Sequence, residues 1–195
     1  SDYSTYDFSS LPGTVTTRQL TETEAASLFP NLTVTAHAVF RVDDTVSDSN
    51  KELIGFEGKI ENAKVVISTT DIALLDTKIV GSEESSEVNG TSVTAGYFVT
   101  DPNSRGEQNA IYYATFEIGD CKVYLENGGM KDDSETIKNQ LAEVIQKLTE
   151  NGNLDLTSFS DETGMKLDGN PDGYDPLPDS QTSDEEVSEQ DPAAN

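Results

Sequence analysis

Residues 109–126, NAIYYATFEIGDCKVYLE, constrain the fold more than any other segment of the chain. Apolar and polar side chains alternate on both sides of Gly119-Asp120, which is typical of two strands joined by a two-residue turn of the Gly-X type. The cross-strand pairs that this turn predicts are Phe116 with Val123, Ala114 with Leu125, and Glu117 with Lys122. Apolar side chains then meet on one face and opposite charges on the other, so pattern and register agree.

Further alternating segments predict more strands of the same kind. Residues 32–42 alternate with Val39 as the one exception, and a second strand follows around residues 54–60. Residues 63–67 are the expected hairpin partner of that strand across Glu61-Asn62. Residues 91–100 also read as a strand. Residues 81–90 read as a loop, and residues 68–75 fit a helical turn or more strand equally well.

Two segments have helical signals. Residues 20–30, LTETEAASLFP, contain Thr21 and Glu24 at capping-box spacing, and Pro30 ends the pattern. Residues 134–152 form a longer amphipathic helix. Its apolar stripe consists of Ile137, Leu141, Val144, Ile145 and Leu148.

This order of elements predicts an α+β fold. We expect a single antiparallel sheet of five or six strands, a short N-terminal helix, and a long C-terminal helix packed on one face of the sheet. Residues 1–13 are interpreted as an extended lead-in and residues 14–158 as one domain. Residues 159–195 are acidic and poor in large apolar side chains, so we predict a disordered tail.

The net charge of −25 argues against nucleic acids and anionic membrane surfaces as partners, because both would be repelled. No apolar run is long enough to span a membrane. The chain starts at Ser1, so we expect that a signal or anchor segment has been removed from view. These features predict an extracellular or cell-surface protein, anchored through a segment outside this sequence.

Few residues are suited to catalysis. The chain has one histidine, His37, and one cysteine, Cys121, so a zinc site of the usual kind is excluded. Cys121 is predicted to face inward as a small apolar side chain, and His37 lies on the polar face of its strand. No catalytic or phosphate-binding motif is present. We therefore predict no enzymatic activity, no catalytic residues and no organic cofactor.

Residues 168–179, DGNPDGYDPLPD, are the one candidate metal site. Their opening matches the D-x-[DN]-x-[DN]-G pattern of calcium loops, in which carboxylates alternate and a glycine allows a tight turn. The candidate calcium ligands are Asp168, Asn170, Asp172, the Tyr174 carbonyl and Asp179. Pro176 and Pro178 preclude the usual exiting helix, and an Asp/Gly/Pro-rich tail also produces this spacing by chance.

The hairpin and the helix that follows it resemble a known group of domains. They are similar to the extracytoplasmic domains of membrane-anchored anti-sigma-factor-like or lipoprotein-like proteins of Gram-positive gut bacteria of the Firmicutes type. The likeness rests on Tyr112, Ala114, Phe116, Gly119, Tyr124, Leu125, Ile137, Leu141 and Ile145. It covers about 45 of the 195 residues, and Tyr124-Leu125 departs from the Tyr-x-Leu pattern of that group.

The resemblance implies a non-catalytic sensor or interaction domain that binds a protein or a small ligand. The alternative is a secreted, calcium-dependent binding or adhesion module.

Overall fold

The computed structural model describes residues 3–5, 8, 13–42, 51–69, 75–77, 83–151 and 154. Within these ranges the chain forms ten strands and two α-helices. The strands are β1 (Tyr3–Thr5), β2 (Thr14–Gln19), β3 (Val34–Val42), β4 (Glu52–Ile60), β5 (Ala63–Ser68), β6 (Leu75–Thr77), β7 (Glu84–Val88), β8 (Thr91–Val99), β9 (Asn109–Ile118) and β10 (Cys121–Met130). The helices are α1 (Glu22–Leu28) and α2 (Ser134–Asn151), and a 3₁₀ turn at Lys131–Asp133 leads into α2.

Eight of the strands form one antiparallel sheet in the order β2-β3-β4-β5-β10-β9-β8-β7. It consists of two four-stranded meanders, β2–β5 and β7–β10, which join where β5 pairs with β10. Strands β1 and β6 pair separately as a two-stranded sheet. The predicted register of the β9–β10 hairpin is confirmed, because Phe116 lies opposite Val123 and Glu117 opposite Lys122.

The predicted fold class is wrong in two respects. The main sheet has eight strands instead of five or six, and the short helix is not N-terminal because β2 precedes it. The two strands of the main sheet that the sequence did not predict are β2 and β7, one at each edge of that sheet. Edge strands have much of their surface in solvent, so they lack the apolar alternation that indicates a half-buried strand.

Strand β7 lies in the segment 81–90 that was predicted to be a loop. Its residues Glu84, Ser85, Ser86 and Glu87 are all exposed, so only the turn signal marked it. That signal is Asn89-Gly90, whose backbone φ angles are +52° and +81°. Asn-Gly is the preferred pair for a tight hairpin turn because both residues tolerate positive φ. Here it joins β7 to β8.

One face of the sheet, called here the helix face, carries the larger core. Leu141, Val144, Ile145 and Leu148 of the predicted apolar stripe of α2 belong to this core together with Phe116 and Val123, and Ile137 of the same stripe is also buried. Leu28 of α1 and Phe29 complete the same cluster, and the Phe29 ring meets Phe56 of β4 edge-on at 6.2 Å. The helix face therefore binds both helices to the sheet by apolar burial.

The opposite face carries a smaller, aromatic core. Phe8, Phe98, Tyr113 and Tyr124 are buried in it, and the Tyr113 ring stacks on the Tyr124 ring at 6.4 Å. Tyr113 lies over Gly96, where a Cβ atom would come within 2.7 Å of the tyrosine hydroxyl. The glycine thus makes room for the ring on the neighbouring strand.

Two asparagine side chains of the sheet hold α2 in place. Asn127 Nδ2 donates to the Ile137 carbonyl at 3.1 Å, near the start of the helix. Asn89 Nδ2 donates to the Gln146 carbonyl at 3.1 Å, near the end of the helix. Because each contact adds a directed hydrogen bond to the apolar interface, the helix is fixed in position along its axis as well as buried.

Candidate functional site

A cleft of about 160 Å³ lies between α2 and the β4–β5 turn. It is lined by Glu61, Asn62, Ala63, Asn127, Gln140, Glu143, Val144 and Lys147. Half of these residues belong to the sheet and its turn, and half belong to α2. The cleft is therefore a seam between two structural elements.

Glu61 occupies a special backbone position in this seam. Ile60 pairs with Ala63, which makes Glu61 the first residue of a two-residue turn, and its φ is +54°. Positive φ is uncommon for residues other than glycine. Two hydrogen bonds with Thr33 hold Glu61 in this conformation. The Glu61 amide donates to the Thr33 carbonyl at 2.7 Å, and the Thr33 amide donates to Glu61 Oε2 at 2.7 Å.

The second carboxylate oxygen of Glu61 points to the helix. Glu61 Oε1 lies 3.8 Å from Lys147 Nζ, and both side chains are partly exposed. An exposed ion pair at this distance contributes little to stability. The contact is loose enough for a cationic group from outside to compete with Lys147 for the carboxylate.

Amide groups line the other side of the cleft. Asn127 Nδ2 donates to Gln140 Oε1 at 3.2 Å as well as to the helix backbone. Both donor hydrogens of this amide are directed at the helix, which fixes its orientation. The buried side chains of Ala63 and Val144 supply the apolar part of the lining. The cleft thus combines carboxylates, fixed amides and a small apolar surface, which suits binding.

The predicted calcium ligands Asp168, Asn170, Asp172, Tyr174 and Asp179 lie outside the residues that the structure describes. The calcium site therefore stays a prediction. Within the described ranges, no three histidine, cysteine, aspartate or glutamate side chains are grouped as a metal site requires.

The single cysteine and the single histidine do not form a catalytic pair. Cys121 is buried on the helix face, and burial together with the charge of Asp120 raises the pKa of its thiol to about 11. His37 alternates with Ala36 and Ala38, which belong to the helix-face core, so its exposed side chain lies on the opposite face. A buried thiol with a raised pKa is a poor nucleophile.

The cleft residues were missed by sequence reasoning, although part of the signal was present. Glu61-Asn62 was predicted to be the β4–β5 turn, and that is confirmed. Gln140, Glu143 and Lys147 follow one another at helical spacing beside the apolar stripe of α2. What the sequence did not contain was the position of α2 across the sheet, which brings this polar row to the turn.

No helix in the described part of the chain has the length and apolar character needed to cross a membrane. No family model matches the chain, and neither a curated protein nor a solved structure shows significant similarity to it.

Proposed function

We propose that this chain is a non-catalytic binding domain that acts outside the cytoplasm, as the sensor or interaction domain of a bacterial cell-surface protein. The acidic composition and the resemblance of the β9–β10 hairpin and α2 to extracytoplasmic anti-sigma-factor-like and lipoprotein-like domains support this proposal. Cys121 is buried with a raised pKa and His37 lies exposed on the opposite face of the sheet, which supports a binding role over a catalytic one.

The proposed binding site is the cleft between α2 and the β4–β5 turn. Its two walls come from different elements, so a ligand that contacts both walls links the helix to the sheet. Binding then stabilises the docked position of α2 by the free energy of the contacts that exist only when the helix is docked. A domain that reports the presence of a ligand needs such a coupling between a site and a structural element.

The chemistry of the walls selects the ligand. Two carboxylates, Glu61 and Glu143, and one ammonium group, Lys147, line the cleft, and the net charge of the whole chain is −25. Such a field attracts cations and repels anions. A cleft of about 160 Å³ is smaller than a typical drug-sized pocket, so it fits a short organic cation with an ammonium or guanidinium head.

The experiment is an NMR titration of the full chain with n-butylamine, n-butylguanidine and butyrate as probes. The two cations should give saturable amide shifts at Glu61, Asn62 and the α2 residues of the cleft, and butyrate should not. Glu61→Gln should weaken the cation response several-fold because it removes one carboxylate. Glu87→Gln, on the exposed edge strand β7, is the matched control with the same change of charge.

Uniform, non-saturating shifts over the whole surface would mean that the cations are attracted non-specifically by the negative charge of the chain and bind no defined site. Equal weakening by Glu61→Gln and Glu87→Gln would lead to the same conclusion. Either outcome would contradict the proposed site.

A further inference from the structure

The two asparagines that hold α2 on the sheet are both followed by glycine, as Asn89-Gly90 and Asn127-Gly128. An asparagine side chain loses ammonia most easily before glycine, because a residue without a side chain leaves its backbone nitrogen open to ring closure. The amide group that holds the helix is therefore the group that this reaction removes. The two sites differ in how freely the backbone can bring the reacting atoms together.

Asn89 and Gly90 are the two central residues of the β7–β8 turn. Val88 pairs with Thr91 on either side of them, and their φ angles of +52° and +81° are those of a type I′ turn. The peptide bond between Asn89 and Gly90 lies outside the ladder, so its rotation breaks no hydrogen bond between the strands. That rotation converts the turn to type II′, the other turn that two-residue hairpins favour.

The rotated turn has the geometry that ring closure needs. In a type II′ turn the first central residue has a ψ angle of about −120°. This angle turns the Gly90 nitrogen to the same side of the Asn89 Cα–C bond as the Cβ atom, so a five-membered ring can close through Cγ. Both residues are exposed, and a Cβ atom at Gly90 would have no neighbour within 4 Å. Water therefore reaches the turn freely.

Asn127 lies inside strand β10, where the same rotation is opposed by strand pairing. Cys121 flanks the β9–β10 turn and is hydrogen-bonded to the residue opposite it. Asn127 follows Cys121 by an even number of residues, so it exchanges backbone hydrogen bonds with Tyr112 of β9 in the same way. Rotating the peptide bond between Asn127 and Gly128 breaks the bond that the Asn127 carbonyl accepts. Asn127 is therefore protected in the folded chain.

We propose that Asn89 is a site of spontaneous covalent modification that loosens the end of α2. The Gly90 nitrogen attacks Cγ of Asn89, the bond from Cγ to Nδ2 breaks, and ammonia leaves with the proton of the Gly90 amide. Water then opens the cyclic imide at either carbonyl. One opening gives aspartate. The other gives isoaspartate, whose backbone runs through Cγ and is one carbon longer, so the tight turn is lost as well.

The products cannot make the contacts that Asn89 makes. Asn89 Nδ2 donates to the Gln146 carbonyl and to Thr149 Oγ1, each at 3.1 Å. The Thr149 hydroxyl itself donates to the Ile145 carbonyl at 2.7 Å, so its oxygen is an acceptor toward Asn89. A carboxylate has no hydrogen to donate, and here it lies at the negative end of the helix dipole, where the last turn has no basic residue. An attractive contact thus becomes a repulsive one.

The first test follows the unmutated full chain at pH 8, folded and in guanidinium chloride. Peptide mapping by mass spectrometry measures the loss of ammonia at each site, and chromatography separates aspartate from isoaspartate. In denaturant Asn89 and Asn127 should react at similar rates, because both precede glycine. In the folded chain Asn89 should react at least about tenfold faster than Asn127, since opening an inner strand costs more free energy than rotating a turn. Equal rates in the folded chain, or a faster reaction at Asn127, would overturn the assignment.

The second test measures the effect on α2 by amide hydrogen exchange of residues 146–150. Asn89→Asp reproduces one product, and exchange there should be about tenfold faster than in the unmutated chain, because two hydrogen bonds are lost and a charge is added. Asn89→Gly is the matched control, since glycine also accepts positive φ and removes the same two bonds without a charge. Its exchange should lie between the other two. Unchanged exchange in Asn89→Asp would contradict the proposed loosening of the helix.

Discussion

Arg18 of the edge strand β2 donates two hydrogen bonds, of 2.8 and 2.7 Å, to the Glu24 carboxylate of helix α1. The Glu24 side chain is 2% exposed, and it also accepts the Thr21 amide as part of the capping box that the sequence predicted. The Arg18 guanidinium lies 5.8 Å from the centre of the Phe40 ring. One buried carboxylate therefore caps the N-terminus of the helix and binds it to the strand.

We expect Arg18→Ala to destabilise the fold by about 3 kcal/mol, because it leaves a buried carboxylate without its counter-ion. The free energy of unfolding in urea measures the effect. Arg41→Ala is the control: Arg41 pairs at 3.3 Å with Glu52, whose side chain is 66% exposed, and such a pair contributes about 0–1 kcal/mol. Similar decreases in the free energy of unfolding for the two variants would contradict the idea that burial of Glu24 makes its ion pair with Arg18 stronger than an exposed one.

Ile145→Asp should destabilise the domain by several kcal/mol, because Ile145 is buried between α2 and the helix face and an aspartate there has no counter-charge. Asn139→Asp introduces the same carboxylate on the exposed side of α2 and should change stability by less than about 0.5 kcal/mol. A stability change below about 0.5 kcal/mol for Ile145→Asp as well would mean that packing of α2 on the sheet contributes little to stability.

The stability of the domain should fall at high pH, partly because of Tyr113. Burial raises the pKa of its phenol above the ordinary value of 10.0, and the hydrogen bond to Glu83 at 2.7 Å and the charge of Glu83 act in the same direction. The stabilisation by neutral Tyr113 is complete below pH 10 and is lost as pH rises toward the raised value. In urea unfolding at several pH values, Tyr113→Phe should show a shallower decline above pH 10. An unchanged slope would contradict this role.

Cys121 should react slowly with Ellman's reagent at pH 8, because burial and then the charge of Asp120 raise its pKa to about 11. Unfolding in urea should release full reactivity. Asp120→Asn should leave the native thiol slow, since burial is the larger cause. A fast native reaction would place the thiol in contact with solvent and would contradict its position in the core.

The predicted calcium loop is tested by calorimetric titration of the full chain. If the loop binds, the affinity should be weak, with a dissociation constant of about 10⁻⁴–10⁻³ M as in extracellular modules. Asp168→Ala/Asp172→Ala should abolish a saturable response, and Asp184→Ala/Glu186→Ala is the control that removes the same charge elsewhere in the acidic segment. Equal responses in the two double variants would leave only non-specific attraction of calcium by acidic residues.

Sequence patterns predicted the inner strands of the main sheet better than its two edge strands. The register from Ala114 and Leu125 to Glu117 and Lys122 followed from alternation and one turn, because both faces of that hairpin have distinct environments. Apart from Val15, strand β2 consists of threonines and other polar residues, so it shows no alternation of apolar and polar side chains. The residues of strand β7 are polar, so only the Asn89-Gly90 turn indicated this strand. An Asn-Gly turn of this kind predicts a hairpin even where the strand beside it has no apolar alternation.

The cleft was harder to predict than the strands. Glu61 and Lys147 meet only because α2 crosses the sheet at a particular place, and that place depends on Asn127 as well as on apolar packing. Hydrophobic periodicity specifies which side of a helix is buried. It does not specify where along the sheet the helix rests, so contacts between its polar side and a distant turn have no local signature.

The junction of β5 and β10 has a consequence for how this chain reaches its native state. Each meander can be completed from neighbours in sequence, and each has a helix of its own, α1 in the first and α2 in the second. Within the eight-stranded sheet, only the β5–β10 ladder requires strands that are remote along the polypeptide, so it carries most of the loop-closure entropy of that sheet. Folding should therefore be limited by the meeting of two preformed halves, and polypeptides cut between β6 and β7 should reassemble as complementary fragments.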